Sequence, residues 1–124
     1  MNTKIAVGQA THFRSLDDVR DALRVFAAER EWQPFHTPKN LASALAVEAA
    51  ELLEPFQWLT SGSDEELDAT TRAAVRNEMA DVLTYLVMLA DRLDVDLLAA
   101  TQEKMQANAQ KYPVEQSRGN AKKI

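Results

Sequence analysis

Four acidic residues stand in two pairs, Glu48-Ala-Ala-Glu51 and Glu78-Met-Ala-Asp81. Within each pair the carboxylates are three residues apart, which on a helix puts both on one face about one turn apart. Leu41, Leu45, Glu48 and Leu52 make one stripe, so Glu48 falls where an apolar face would carry another leucine. In the second segment Val75, Met79, Val82, Leu86, Leu89 and Leu93 mark the stripe expected to be buried, and Glu78, Asp81 and Tyr85 share a wedge along its edge. Where two such faces meet, like charges repel at close range, and a divalent cation removes the repulsion. An all-oxygen set suits Mg²⁺, Mn²⁺ or Ca²⁺, and Mg²⁺ binds through a few carboxylates together with substrate phosphates. A helical di-iron site would want Glu-x-x-His pairs, and the two histidines, His12 and His36, lie in neither pair. Glu-x-x-Glu is also common on solvated helix faces. The acids alone therefore leave two readings open: a cation cage, and a non-enzymatic helical interaction or regulatory protein with acidic faces.

The elements that must position these acids read as helices throughout. Ser15 is a good N-cap, and Asp17 and Asp18 complement the positive end of a first helix dipole. Leu16, Val19, Leu23 and Phe26 give that helix its stripe, to about Arg30. Pro34 interrupts the pattern in a short aromatic connection with Trp32, Phe35 and His36. Such rings plug a core where helices meet, or stack on and hydrogen-bond a planar base. Thr37 caps a second helix with Pro38 at its first position, where the missing N–H costs nothing. It carries the first acidic pair as far as Pro55, whose ring conflicts with the Glu51 carbonyl, so a kink or break is expected there. Trp58 follows as a second pocket wall or a core cap. A turn at 60–63 with Gly62 and a polar stretch at 64–71, a surface loop or short helix, lead to the longest periodic segment, from about 72 to 93. Asp94 or Asp96 caps a last helix, with Leu97, Leu98, Thr101 and Met105 as its stripe, through about Lys111. Lys104, Asn108 and Lys111 recur along it at three- and four-residue spacing, as solvated residues suited to a helix C-terminus also would.

With 124 residues, one domain is expected. Residues 1–14 read as a mobile arm, 15–113 as the helical domain and 114–124 as a polar, disordered tail. Hydrophobic residues make up 46% and charged residues 27% of the chain, a balance that builds a core. The net charge of −5 gives no basic footprint for a nucleic-acid backbone. A bound metal would invert the local sign for a small polyphosphate. There is no cysteine, hence no disulfide or thiolate metal site. No apolar run reaches the length of a membrane span and no secretory pattern opens the sequence, so no membrane partner and a cytoplasmic location are the expectation.

In order and combination, Trp32-Gln-Pro-Phe-His36, Asn40-Leu41, Glu48-x-x-Glu51, Phe56-Gln-Trp58, Glu78-x-x-Asp81 with Tyr85, and Lys104-x-x-x-Asn108 with Lys111-Tyr-Pro113 resemble the MazG-like nucleotide pyrophosphohydrolases, most nearly the dCTP pyrophosphatase branch. The resemblance covers about 16–113. It implies an all-α, four-helix, oligomeric enzyme that cleaves a nucleoside triphosphate, dCTP or a modified pyrimidine dNTP, to the monophosphate and pyrophosphate with Mg²⁺ or substituting Mn²⁺, in nucleotide-pool sanitation. By motif position it implies Glu48, Glu51, Glu78 and Asp81 as metal ligands, and Trp32, His36, Trp58 and Tyr85 around base and sugar. Lys104, Asn108, Lys111 and Tyr112 would meet phosphate or close the pocket. It further implies a homodimer or a homotetramer built as a dimer of dimers. Glu51 is the candidate for orienting or deprotonating the attacking water, with Glu48 as the alternative. Leu23 stands where the dCTP pyrophosphatases carry a substrate-contacting histidine, so a preference broader than strict dCTP use is expected. Pro55 stands where the family more often continues the helix.

Overall fold

A computed structural model describes residues 12–124 of the chain. Most of the expected arm lies outside the described residues; its end, 12–14, has no regular structure and joins the first helix through the Arg14 N–H, which donates to the Asp18 carboxylate at 3.0 Å. All regular structure among the described residues is helical. None of these helices is long and apolar enough to cross a membrane.

The chain divides into two compact units, the first ending at Leu93 and the second spanning Asp94–Ile124. In the first, α1 (Leu16–Glu29) opens on Ser15, whose hydroxyl accepts from the Asp18 N–H at 3.1 Å. It closes where Glu31 turns into the left-handed region at φ 53°. The aromatic connection that follows is a single 3-10 turn, Gln33–Phe35. Then α2 (Pro38–Leu53) begins at Thr37, which accepts from the Asn40 N–H at 3.2 Å, with Pro38 at its first position. Pro55 ends the α-helical ladder as expected: the chain tightens into a 3-10 turn, Glu54–Phe56, and the Glu54 N–H donates to the Glu51 carbonyl.

The longest helix, α3 (Ala69–Arg92), starts three residues earlier than its periodicity suggests. Asp68 is the reason, because its carboxylate accepts from the Thr71 N–H at 2.7 Å and adds a turn upstream of the first apolar position. α3 packs against both α2 and α1, and Val75, Val82, Leu86 and Leu89 of its expected stripe are half-buried. Val87 and Ala90 are buried, whereas Met79 and Leu93 from the expected stripe are exposed. Leu41 of α2 is the one large side chain fully buried among the described residues, at 1% exposure. Its neighbours along the stripe, Leu45, Glu48 and Leu52, are half-buried. Arg24 on α1 and Asp91 on α3 are paired, the Arg24 Nε–H donating to Asp91 at 2.8 Å. This pair holds the Asp91 carboxyl below its ordinary value.

In the second unit α4 (Leu97–Lys111) is capped by Asp96, which accepts from the Ala99 N–H at 3.1 Å. No residue of α4 is buried, and Leu98 and Met105 of its expected stripe are exposed. Within the stretch read as a polar tail, Val114–Ser117 forms a one-turn helix, α5, because Pro113 starts it with a fixed φ and its carbonyl accepts from the Gln116 and Ser117 N–H groups.

Candidate active site

The two acidic pairs face each other across the α2–α3 contact. Glu48 from α2 and Glu78 and Asp81 from α3 each bring a carboxylate oxygen to within 4.8 Å of the others. Glu48 and Glu78 are half-buried, and Asp81 is exposed. Glu48 Oε2 and Glu78 Oε2 are individually buried and have no hydrogen-bond partner among the described residues. A buried carboxylate oxygen without a donor is costly, and here two of them converge.

The electrostatics follow from that placement. Burial first, then the proximity of the Glu51 carboxylate and the charges of Asp81 and Glu78, push the Glu48 carboxyl from its ordinary 4.5 up to about 7. Glu78 is raised as well, by burial first and then by the charges of Glu51 and Asp81. Glu51 thus belongs to the same electrostatic neighbourhood, although it lies outside the group of three close oxygens. Sequence reasoning missed a fifth acid, Glu54, whose charge also raises Glu78. It stands three residues after Glu51, a repeat of the same spacing. An all-oxygen, carboxylate-rich donor set with two orphaned buried atoms fits a hard divalent cation.

The aromatic residues are distributed unevenly. Trp32 meets Phe26 edge to face at 5.7 Å between centroids and His36 at 6.0 Å, while Arg30 lies 3.7 Å over the Phe26 ring. Trp32 is 42% and Phe35 68% exposed, so this connection does not plug the core. His36 lines a cavity of about 160 Å³ with Leu23, Gln33, Leu41, Val87 and Met88. Leu23 and His36, two positions singled out by the resemblance, therefore share one cavity, whose lining includes neither Trp58 nor Tyr85. Tyr85 is half-buried on α3 one turn beyond Asp81. Trp58 stands on the α2–α3 loop at 89% exposure. Within the second unit Lys104, Asn108 and Lys111 are exposed along α4, and Tyr112 closes it, its N–H donating to the Asn108 carbonyl at 2.8 Å.

Residues 44–124 match the MazG-like family. The chain is 48% identical to dCTP pyrophosphatase 1 of Mus musculus over 109 residues, which cover 86% of this chain and 64% of that protein. It is 44% identical to dCTP pyrophosphatase 1 of Homo sapiens over 111 residues, 88% of this chain and 65% of the relative. The chain thus spans under two-thirds of the length of these relatives. Among solved structures, a pyrophosphatase from Archaeoglobus fulgidus superposes with a TM-score of 0.72 at 43% identity, over 84% of this chain and 97% of that one.

Proposed function

The chain belongs to the MazG-like family, and from that membership joined to its carboxylate cluster we propose that it is a Mg²⁺-dependent nucleoside triphosphate pyrophosphohydrolase. Its substrate is a pyrimidine deoxynucleoside triphosphate, dCTP or a base-modified relative, which it converts to the monophosphate and pyrophosphate. The observation that carries this reading is the convergence of Glu48, Glu78 and Asp81 with two buried oxygens left without donors. Curated relatives named dCTP pyrophosphatase 1 support the substrate class.

Glu48, Glu51, Glu78 and Asp81 would hold Mg²⁺, with Mn²⁺ as a substitute. When bound, the cation supplies charge neutralisation on phosphate oxygens and a more acidic water. The rest falls to the chain's own side chains. Hydrolysis of a phosphoanhydride needs no protein nucleophile, only an aligned water and a means of taking its proton. Glu51 serves as that base or orienting group, standing one turn along α2 from Glu48. His36 hydrogen-bonds the base edge from the cavity that Leu23 also lines, and the apolar Leu23 broadens base preference. Trp32, Trp58 and Tyr85 supply ring surface to base and sugar. The resemblance assigns Lys104, Asn108, Lys111 and Tyr112 to phosphate, and the reading above rests on the first unit alone. Val47, Leu53, Met79 and Leu83, exposed along α2 and α3, support a homodimer or homotetramer.

The test is pyrophosphate release from a panel of canonical and modified dNTPs and NTPs, with Mg²⁺ and after chelation. Metal-dependent release with pyrimidine deoxynucleotides preferred is the expected result. No release from any triphosphate with Mg²⁺ or Mn²⁺ overturns the reading, and a preference for purines over all pyrimidines overturns its substrate class.

A further inference from the structure

The loop joining α2 to α3 presents Trp58 almost wholly to solvent, with no aromatic or hydrogen-bonding partner for the indole among the described residues. What fixes the position of so exposed a residue is the backbone on either side of it. Before it, the Gln57 N–H donates to the Glu54 carbonyl at 3.2 Å, and around it the Leu59 N–H donates to the Phe56 carbonyl at 2.9 Å. Beyond it, three consecutive N–H groups, those of Thr60, Ser61 and Gly62, donate to the Glu66 carboxylate at 2.9, 2.8 and 3.1 Å, and the Ser61 hydroxyl adds a fourth bond at 3.0 Å. Gly62, at φ 70°, lies so close to the Phe56 ring that a Cβ there would come within 2.8 Å of Phe56 Cδ1. The segment from Phe56 to Gly62 is closed by glycine against ring, and Glu66 fastens the closure. The backbone donors, Ser61 first and then Thr60, hold the Glu66 carboxyl down at about 2, so the fastener is ionised near neutral pH.

We propose that Glu66 is a positioning residue for Trp58, gathering the N–H groups of Thr60, Ser61 and Gly62 so that the loop holds the indole ready for the nucleobase. This deepens the reading of Trp58 as a wall of the base pocket and rests on it. Glu66 does not touch substrate; it removes conformational freedom that binding would otherwise have to remove. Loosening the loop should therefore weaken substrate binding while leaving the chemistry at the carboxylates of α2 and α3 in place.

Two substitutions and one spectroscopic readout test this. Glu66→Gln keeps the volume and one acceptor oxygen but turns an amide N–H₂ toward backbone donors, and Glu66→Ala removes all four bonds. KM for the preferred triphosphate should rise about threefold in the first and about tenfold in the second, with kcat changed by less than about twofold. In a Trp58→Ala background Glu66→Gln should add nothing further, the two residues acting as one unit. Because the chain has two tryptophans, Trp32→Phe leaves Trp58 as the sole emitter, and its fluorescence anisotropy without nucleotide should fall on adding Glu66→Gln. Unchanged anisotropy overturns the clamp, even where Trp58→Ala impairs KM as the base-pocket reading requires. An equal KM rise with and without Trp58 overturns it too, by showing that Glu66 acts elsewhere. If Trp58→Ala leaves KM unchanged while the anisotropy still falls, the base-pocket reading fails and the positioning role falls with it. Should Glu66→Ala not fold, Glu66→Gln and the anisotropy decide alone.

Discussion

Chelating the divalent cation should reverse the sign of the protein's pH dependence. In the folded chain Glu48 is pushed from 4.5 up to about 7, and Glu78 is raised in the same direction. A carboxyl whose folded pKa lies above its unfolded value binds its proton more tightly in the native state. Its contribution to stability is fully present below the unfolded value and is lost as pH rises through the folded one. The metal-free protein should therefore lose thermal stability between about pH 5 and about pH 8 through these two groups. Asp18, Glu65, Glu66, Asp68 and Asp91 are shifted the other way, so their contribution is lost only as pH falls below their unfolded values of 3.8 or 4.5, outside that window. With metal the order inverts, because the cation must displace the proton. At one unit below its pKa Glu48 is about one-tenth ionised and at one unit above about nine-tenths, so apparent Mg²⁺ affinity should rise about tenfold from about pH 6 to about pH 8. Calorimetric Mg²⁺ titration across that range, and melting of the chelated protein in the same buffers, measure both limbs. Glu48→Gln should flatten both. A metal-free melting temperature that is flat or rises with pH, or a Mg²⁺ affinity that changes less than about twofold, would refute the electrostatic account of the cluster.

If Glu48 and Asp81 hold the cation as proposed, Glu48→Gln and Asp81→Asn each remove a ligand charge but little volume, so turnover should nearly vanish while circular dichroism stays helical; wild-type activity in both would remove the case for the cage. Trp58→Ala should raise KM about five- to a hundredfold, the worth of one lost base stack, with a smaller fall in kcat, read from steady-state kinetics. Leu41→Ala, at the one fully buried large side chain among the described residues, should cost about 2 to 5 kcal/mol in denaturant unfolding. Sedimentation should show a dimer or tetramer, and a fully active monomer at micromolar concentration would contradict the reading of Val47, Met79 and Leu83 as covered faces.

Local signals carried most of the helix plan. Ser15, Thr37-Pro38 and Asp96 start helices because each cap is a short-range bond between a side chain and the N–H three residues on. Pro55 ended α2 for an equally local steric reason. The start of α3 was less legible: Asp68 acts through a hydrogen bond that leaves no trace in apolar periodicity. Its buried face was legible in part: Val75, Val82, Leu86 and Leu89 of the expected stripe are half-buried, while contact with two helices buries Val87 and Ala90 beside them and leaves Met79 and Leu93 exposed. In the site, the spacing within each acidic pair predicted the face each pair occupies, and the misfit of Glu48 in a leucine stripe predicted its half-burial. Glu54 continues the three-residue spacing of Glu48 and Glu51 but stands at the helix end expected at Pro55, whereas Glu66 was missed because its effect runs through backbone contacts that no period encodes.

The ion pairs of the described residues separate the cation cage from its non-enzymatic rival. Asp17, Asp18, Asp21, Glu29, Asp64 and Asp91 each have an arginine within 4.0 Å. None of these pairs includes Glu48, Glu51, Glu78 or Asp81. Acids kept for solubility or surface salt bridges would be expected among the first group, solvated and paired. Glu48 and Glu78 are instead drawn toward an apolar contact between two long helices, each with one buried oxygen that has no partner among the described residues. Replacing Glu48 by leucine would complete the α2 stripe and remove the repulsion, so the apo fold gains nothing from the acid. A local choice that opposes the fold is what a functional site leaves in a sequence otherwise consistent at every level. A divalent cation would relieve that tension, whereas the described residues place no positive side chain of their own within salt-bridge reach of these four acids.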